Sequence, residues 1–380
     1  MRVCRMANVL PVNGVSGNLT RMAFTILFCV LMSHGAVCEE QWPIRGAIQI
    51  GAQFHDFQNY SKVPYLHGGL DMRAPAGSVV YTPVSGTITI SSYKIEASLI
   101  PLKFVYVRTP FKPGTDLTSK YIEICIKTVD GTSWCFRHLD PGSIPYHLLA
   151  KAENREPLAA GDNIGNIVPW SESVLPVTEK YDHIHLEIIA SDGSYLNPAE
   201  LLQRAPDTLP PVIHGIWAVP NEETTVFSTP QNRPALRGDV DFVMAVTDSI
   251  SGSRYVYSPY LVKAGLRSIN GSATVVIPMA DVYRFDRLPI KGDRTQLATV
   301  IYKERIKTPT GNIESNGSGG PRFFLMNLTN GNPSLGYKSE YALRTTDLPD
   351  GVYALDVEAS DLGGNTASRT FEFTVNNHSR

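Results

Sequence analysis

Residue type and spacing suggest chemistry at two places in this sequence: HGGLD at residues 67–71 and HIH at 183–185. Two glycines between His67 and Asp71 let the backbone bend or take positive φ, so a ring nitrogen and a carboxylate oxygen can converge on one point. Such a pair supplies two ligands to a divalent ion. In a strand, residues two apart point the same way, so His183 and His185 present both rings on one face, with Glu187 beside them. One imidazole of that pair would complete a three-ligand set that leaves a position for water. The other could then work on the reaction. Taken singly, HGGLD also fits a glycine turn with an incidental polar pair, and HIH also fits two histidines on a wet sheet face.

A third candidate is His138, in CFRHLD (135–140). Strand alternation puts Trp134, Phe136 and His138 on one face, with Cys135 and Arg137 on the other. The ring fits a place beside a metal site or an exposed strand end. His34 and His378 lie near the chain ends, and His55, His147 and His214 have no partner at an informative spacing, so surface or satisfied core positions suit them. The sequence has no HExxH, which leaves His138 and His183 as candidates for proton acceptor and oxyanion donor, with the division between them open. Glu187 is better suited to a hydrogen bond with a ligand histidine than to the role of base.

The elements that must position these residues read as strands. Residues 43–203 form one β-rich stretch, in which SVVYTPVSGTITISSY (78–93) alternates around a Ser85-Gly86 turn. IEICIKTVDGTSWCFRHL (122–139) reads as a hairpin turning at Val129-Asp130-Gly131, which sets Cys125 directly opposite Cys135 and predicts a cross-strand disulfide. DNIGNIVPW (162–170) and HIHLEIIAS (183–191) read as later strands. NPAELLQRA (197–205) is the one clear helix candidate, with Asn197 as N-cap and Pro198 at the first helical position.

Proline-rich PDTLPP (206–211) marks a boundary. Beyond it, GDVDFVMAVTDSISGSR (238–254) and DGVYALDVEASDLGGNTASR (350–369) echo each other, each alternating up to an aspartate and then a glycine turn. TFEFTV (370–375) follows as another strand, and GNIESNGSGG (311–320) reads as a loop. Short alternating strands over 212–376 predict an immunoglobulin-like β-sandwich. No catalytic constellation is visible in that half.

Composition narrows the class. The chain has 380 residues, 43% hydrophobic and 18% charged, which suits two globular domains. MAFTILFCVLMSHGAVCEE (22–40) carries an apolar run of about 16 residues after Arg21, short of the roughly 20 that span a bilayer. Residues 1–38 therefore read as a signal peptide cleaved after Gly35 or Cys38, with an uncleaved anchor as the rival reading, and the mature chain is expected to be exported with no membrane segment. Removing Arg2, Arg5 and Arg21 leaves 31 basic residues against 36 acidic, a net charge of −5. No excess of cations is present to neutralise phosphates, so nucleic acid is not an expected partner.

In the order HxxxD, HL, HxH within one β-rich stretch, the sequence resembles the lysostaphin-type zinc endopeptidases, which cut the peptide part of bacterial peptidoglycan. The resemblance spans about residues 45–203 and includes HGGLDMRAPAGSVVYTPVSGTI (67–88), RHLD (137–140), LAAGDNIGNI (158–167) and LNPAELL (196–202). It implies the duplicated hybrid motif fold, an antiparallel β-sheet metallopeptidase domain over 43–205, joined by 206–211 to the sandwich. It also implies Zn2+ held by His67, Asp71 and His185, with His138 and His183 as catalytic histidines. Zinc on two neutral imidazoles and one carboxylate would carry a net charge of +1, lowering the pKa of a water and polarising a carbonyl. The expected partners are peptidoglycan peptides, in the periplasm or outside the cell, with a wall or protein partner for the sandwich.

The sequence departs from that family where IVPWSESVLPVTEKYDHIH (167–185) replaces a short glycine-rich approach to HxH. A second departure is SYKIEASLIPLKFVYVRTPFKPGTDLTSKY (92–121), an enlarged connection. Both are expected to line the substrate groove. Two other functions compete: a catalytically silent wall-binding protein or activator of other wall hydrolases, and a zinc hydrolase with a target outside the wall.

Overall fold

Alternating apolar residues on neighbouring strands give the molecule its first layer. A computed structural model describes residues 41–46, 49–60, 63–99, 102–111, 121–169, 181–204, 206–220, 226–227, 233–270, 274–288, 294–308, 311–315, 323–332 and 336–378. Residues 1–38, expected above to be a signal peptide, and most of the stretch before HIH (170–180) lie outside the described residues, as do 112–120 and 316–320. Among the described residues no helix is long and apolar enough to cross a membrane. The fold is mainly β with antiparallel sheets.

The principal sheet runs Gln49–Ala52, Leu70–Arg73, His183–Ile189, Ser133–Leu139, Tyr121–Lys127, Gly86–Leu99, Pro157–Leu158, every neighbouring pair antiparallel. The HIH strand is thus inserted between two strands that precede it by many residues. Leu70, Met72, Phe136, Ile184, Leu186 and Ile188 point into one buried core with Ile122, Ile124 and Ile126. Each fully buried side chain of this kind stabilises by about 1.5–3 kcal/mol. A slip of one residue would turn histidines and carboxylates into that core, so the apolar face fixes the register.

Cys125 and Cys135 stand opposite each other and are disulfide-bonded. Their hairpin turns through Val129–Gly131, with Thr128 N–H donating to Thr132 O and the Asp130 carboxylate accepting from Thr132 N–H. The stretch read as an enlarged connection is in its described part a long antiparallel hairpin, Gly86–Leu99 against Leu102–Pro110. Val79–Tyr81 pairs with Asn163–Asn166 and not with Gly86–Leu99, so the turn between them passes from one sheet to another.

Two helices depart from the expectation of a single one. Tyr146–Asn154 is nine residues long. Its Ala, Leu, Lys and Glu favour a helix, but Pro145 precedes it with no side-chain cap, so the usual start signal is missing. Arg294–Ile301 is the second. The anticipated helix is only Pro198–Leu201; Asn197 caps it as expected, and it stops where Leu202 turns extended and buries its side chain. Residues 311–314 of the anticipated loop pair as a strand with Arg305–Thr308.

Past Pro211, two sheets face each other. One is built on Val212–Pro220, Asp239–Thr247 and Phe324–Asn327; the other runs Ala235–Leu236, Thr366–Val375, Gly351–Ser360, Leu261–Ser268, Thr274–Arg284. Phe242 of the first packs on Phe371 and Phe373 of the second, which makes the pair a sandwich with a shared core. Neighbouring strands are antiparallel except Ala235–Leu236 with Thr366–Val375, which is parallel. Asp248 and Asp361, which end the two echoing segments, both cap turns: Asp248 accepts from Ser249 N–H and Asp361 from Asn365 N–H.

The two halves are joined closely. Phe54, Phe57 and Leu66 from the first belong to the sandwich core, and Tyr257 from the second belongs to the core beneath the principal sheet. Tyr195–Leu196 pairs with Arg287–Leu288 across the junction, and Glu39–Arg380 forms one compact unit.

Candidate metal centre

Three adjacent strands carry the polar face opposite the core. His185 pairs with Asp71 on one side and Arg137 on the other, and His183 pairs with Arg73. The alternation that buries Ile184 and Leu186 therefore turns His183, His185 and Glu187 toward Asp71 and Arg137. His67 joins them from the segment just before its strand. Of the two glycines that follow, neither has positive φ. Gly69 serves by lacking a side chain: a Cβ there would stand 2.3 Å from Leu186 O and 2.8 Å from His185 Nε2. The glycine lets the His185 strand approach.

His67 Nε2, Asp71 Oδ1 and His185 Nδ1 form a triangle with edges of 3.1, 3.1 and 2.8 Å. It is the one group of this kind among the described residues, and all three members are buried. Ligand atoms about 2.0–2.1 Å from a tetrahedral zinc stand roughly 3.3 Å apart, so the spacing fits. The outer ring atoms fit as well. His67 Nδ1 lies 2.8 Å from Gln53 O, which can only accept, and His185 Nε2 lies 3.3 Å from Glu187 Oε1. With those positions protonated, both neutral rings turn a lone pair to the point Asp71 faces, and the partners fix ring orientation.

Electrostatics agree. Burial alone would raise the Asp71 carboxyl, but the nearby His67 and His183, with hydrogen bonds from His185 and His67, hold it well below the usual range. Burial would lower His67, yet the Asp71 carboxylate and its hydrogen bond raise it. A metal ion entering the triangle competes with a proton for His67 Nε2.

Glu187 does not stand alone behind His185. The Arg137 guanidinium bridges it to Glu123, with Nη2 2.7 Å from Glu187 Oε2 and Nε 2.5 Å from Glu123 Oε2, all three side chains being buried. Arg108 extends the network to the rim, donating to Glu123 at 2.6 Å.

His138 corrects the face assigned by alternation. It has φ of 70°, and the register shifts there, so Leu139 pairs with Ile122 while Arg137 pairs with Glu123. The extra residue is a β-bulge, which returns Leu139 to the core and swings His138 off the face of Trp134 and Phe136. Its ring lies 4.6 Å from that of His183 and 6.0 Å from that of His185. All five anticipated residues are therefore together: His67, Asp71 and His185 at the triangle, His138 and His183 at its edge.

Two tyrosines escaped the sequence reading. Tyr93 Oη, from the long hairpin, is 2.8 Å from His138 Nδ1. Tyr181 donates from Oη to Asp71 Oδ2 at 3.3 Å, and its carbonyl is 2.7 Å from His183 Nδ1. The YDHIH spacing holds a signal for Tyr181, two residues before His183 on the same face; nothing local marks Tyr93. Arg73 lies over the Tyr181 ring at 4.7 Å and meets the Tyr255 hydroxyl from the sandwich half. His55 is buried in the core, while His147 is on the helix surface.

No family model and no curated protein matches the chain. Solved structures overlap it weakly. A chain of the SpoIIQ-SpoIIIAH pore-forming complex is 16% identical over 44% of this chain and 92% of its own, with a TM-score of 0.26. A candidate M23 peptidase from Pseudomonas aeruginosa is 15% identical over 50% and 64%, at 0.23. Lysostaphin is 14% identical over 81% and 100%, at 0.27. Likeness at this level leaves the reading of the centre to its own residues.

Proposed function

We propose that the chain is an exported, zinc-dependent endopeptidase that hydrolyses peptide bonds in bacterial peptidoglycan, in the periplasm or outside the cell. The observation that carries the hydrolase reading is the buried triangle of His67 Nε2, Asp71 Oδ1 and His185 Nδ1, with two further histidines at its edge. The substrate class follows from the HxxxD, HL, HxH resemblance. A bound zinc ion would supply a Lewis acid that polarises a carbonyl and eases proton loss from water.

The remaining work falls to His183 and His138. Burial lowers His183 despite the Asp71 charge, so it is neutral near pH 7. Its Nδ1 donates to the Tyr181 carbonyl, so its lone pair is on Nε2, 3.6 Å from Asp71 Oδ1 and facing the triangle. That is the form of a general base for an attacking water. Burial, reinforced by His183 and His185, holds His138 well below its usual range. With the Tyr93 hydroxyl donating to Nδ1, Nε2 carries the hydrogen and acts as a donor to the oxyanion that forms on the scissile carbonyl. In this reading the two rings take complementary tautomers.

The test uses residues 39–380 on isolated peptidoglycan, with mass spectrometry of released fragments and unrelated polypeptides in parallel. Fragments released by the wild type and lost with His183→Ala support the proposal, and their masses name the bond. Zinc uptake without fragments from the wall favours a silent or activating role; cleavage of the unrelated polypeptides alone moves the substrate elsewhere.

A further inference from the structure

The segment Gln53–Asp56 holds a metal ligand in the first half and is itself held by the second. Gln53 O accepts from His67 Nδ1, and the His67 backbone is bracketed on both sides: its N–H donates to Asp56 O at 3.0 Å, and its carbonyl accepts from His55 N–H at 2.7 Å. The Asp56 carboxylate, only 4% exposed, ties this segment together. Oδ2 accepts from Gln53 N–H at 2.7 Å, while Oδ1 accepts from both the N–H and the hydroxyl of Ser258, at 2.9 and 2.8 Å. Ser258 lies in the sandwich half and is fully buried.

A carboxylate taken out of water is tolerated only where donors replace its hydration. Two of the three donors to Asp56 come from Ser258, so the shape of the loop depends on a residue 202 positions away. A second clamp runs alongside: the His55 ring stacks on Phe285 at 3.7 Å, and its Nε2 meets Pro259 O at 3.0 Å. Continuous hydrogen bonding therefore links Ser258, Asp56, Gln53 and His67.

Resting on the metal-site reading above, we infer that the sandwich is an integral part of the metal centre, with Ser258 acting through Asp56 and Gln53 as a positioning residue for His67. The half that supplies no ligand sets the affinity of the site. Partners that hold a metal ligand from behind typically change affinity 10–100-fold when lost. Removing the Ser258 hydroxyl leaves its backbone N–H bonded to Asp56, so its effect is the smaller one.

The measurement is the Zn2+ dissociation constant of the 39–380 chain, by competition with a chromophoric chelator, well below the melting temperature of each metal-free variant. Asp56→Asn is expected to weaken binding about 10–100-fold and Ser258→Ala roughly 3–10-fold. Arg287→Ala removes the exposed ion pair with Asp192 across the same junction and is expected to bind zinc as the wild type does. If Asp56→Asn does not fold, Ser258→Ala decides. Wild-type affinity in the folded Asp56 and Ser258 variants overturns the inference alone, as does an equal loss with Arg287→Ala. A wild-type chain that takes up no zinc overturns the metal-site reading and this inference with it.

Discussion

Tyr93 Oη and His138 Nδ1 are hydrogen-bonded at 2.8 Å, with the tyrosine 1% exposed and the histidine 6%. In the proposed mechanism the hydroxyl donates to Nδ1, which leaves the ring hydrogen of a neutral His138 on Nε2. Tyr93→Phe keeps the ring packing and deletes only that control. Turnover is expected to fall roughly 10-fold with zinc affinity unchanged. Steady-state kinetics beside a chelator competition checks this; an unchanged rate would assign the tyrosine to packing alone.

Zinc binding by the folded state stabilises it by mass action. The wild-type melting temperature should rise with added zinc, whereas His67→Ala and Asp71→Ala, each lacking one of the three proposed ligands, should show little or no rise. Affinity is expected to drop at least about 100-fold for either. Calorimetry with and without zinc decides, and an undiminished rise in Asp71→Ala would remove that carboxylate from the ligand set.

The Cys125–Cys135 bond closes a short loop, with a sequence separation of 10. Crosslinks over loops of this size contribute about 2–3 kcal/mol. Urea unfolding of the wild type should shift down by about that amount on adding a reductant. The double Cys→Ala variant should be insensitive to reductant; if it matches the oxidised wild type, the bond contributes nothing to stability.

Asp248 gives the stability a pH dependence. Burial raises its carboxyl from 3.8 to about 8, Asp361 and Asp207 add to the rise, and the Ser249 N–H opposes it. A raised folded-state value means the folded chain holds the proton more tightly than the unfolded one. The stabilisation is complete below about 3.8 and is lost as pH climbs through about 8. Wild-type melting temperature should therefore decline from pH 5 to pH 9, and Asp248→Asn should flatten that decline. Parallel curves would rule out Asp248 as the cause.

How far the sequence could be read depended on how local each signal was. His183, His185 and Glu187 share a face because a strand repeats every two residues, and the sandwich strands announced themselves by the same period. His138 broke the rule because a bulge is decided by what both flanking residues must reach: Leu139 the core, Arg137 the two carboxylates. Glycine in HGGLD pointed to a turn, yet Gly69 answers to the Leu186 carbonyl on a strand far along the chain. Tyr93 and the Asp56–Ser258 link are long-range pairings with no periodic trace. The Tyr146–Asn154 helix was hidden by its uncapped start.

Insertion of His183–Ile189 between Leu70–Arg73 and Ser133–Leu139 has a consequence in time. Closing so long a loop costs chain entropy before any contact rewards it, so such pairings form slowly and after the local hairpins. The strand that brings His185 to the triangle also finishes the sheet. Until it docks, His67 and Asp71 have no His185 to meet, and the triangle is incomplete. On the function proposed above, metal affinity and completed folding would then arrive together, in a single event.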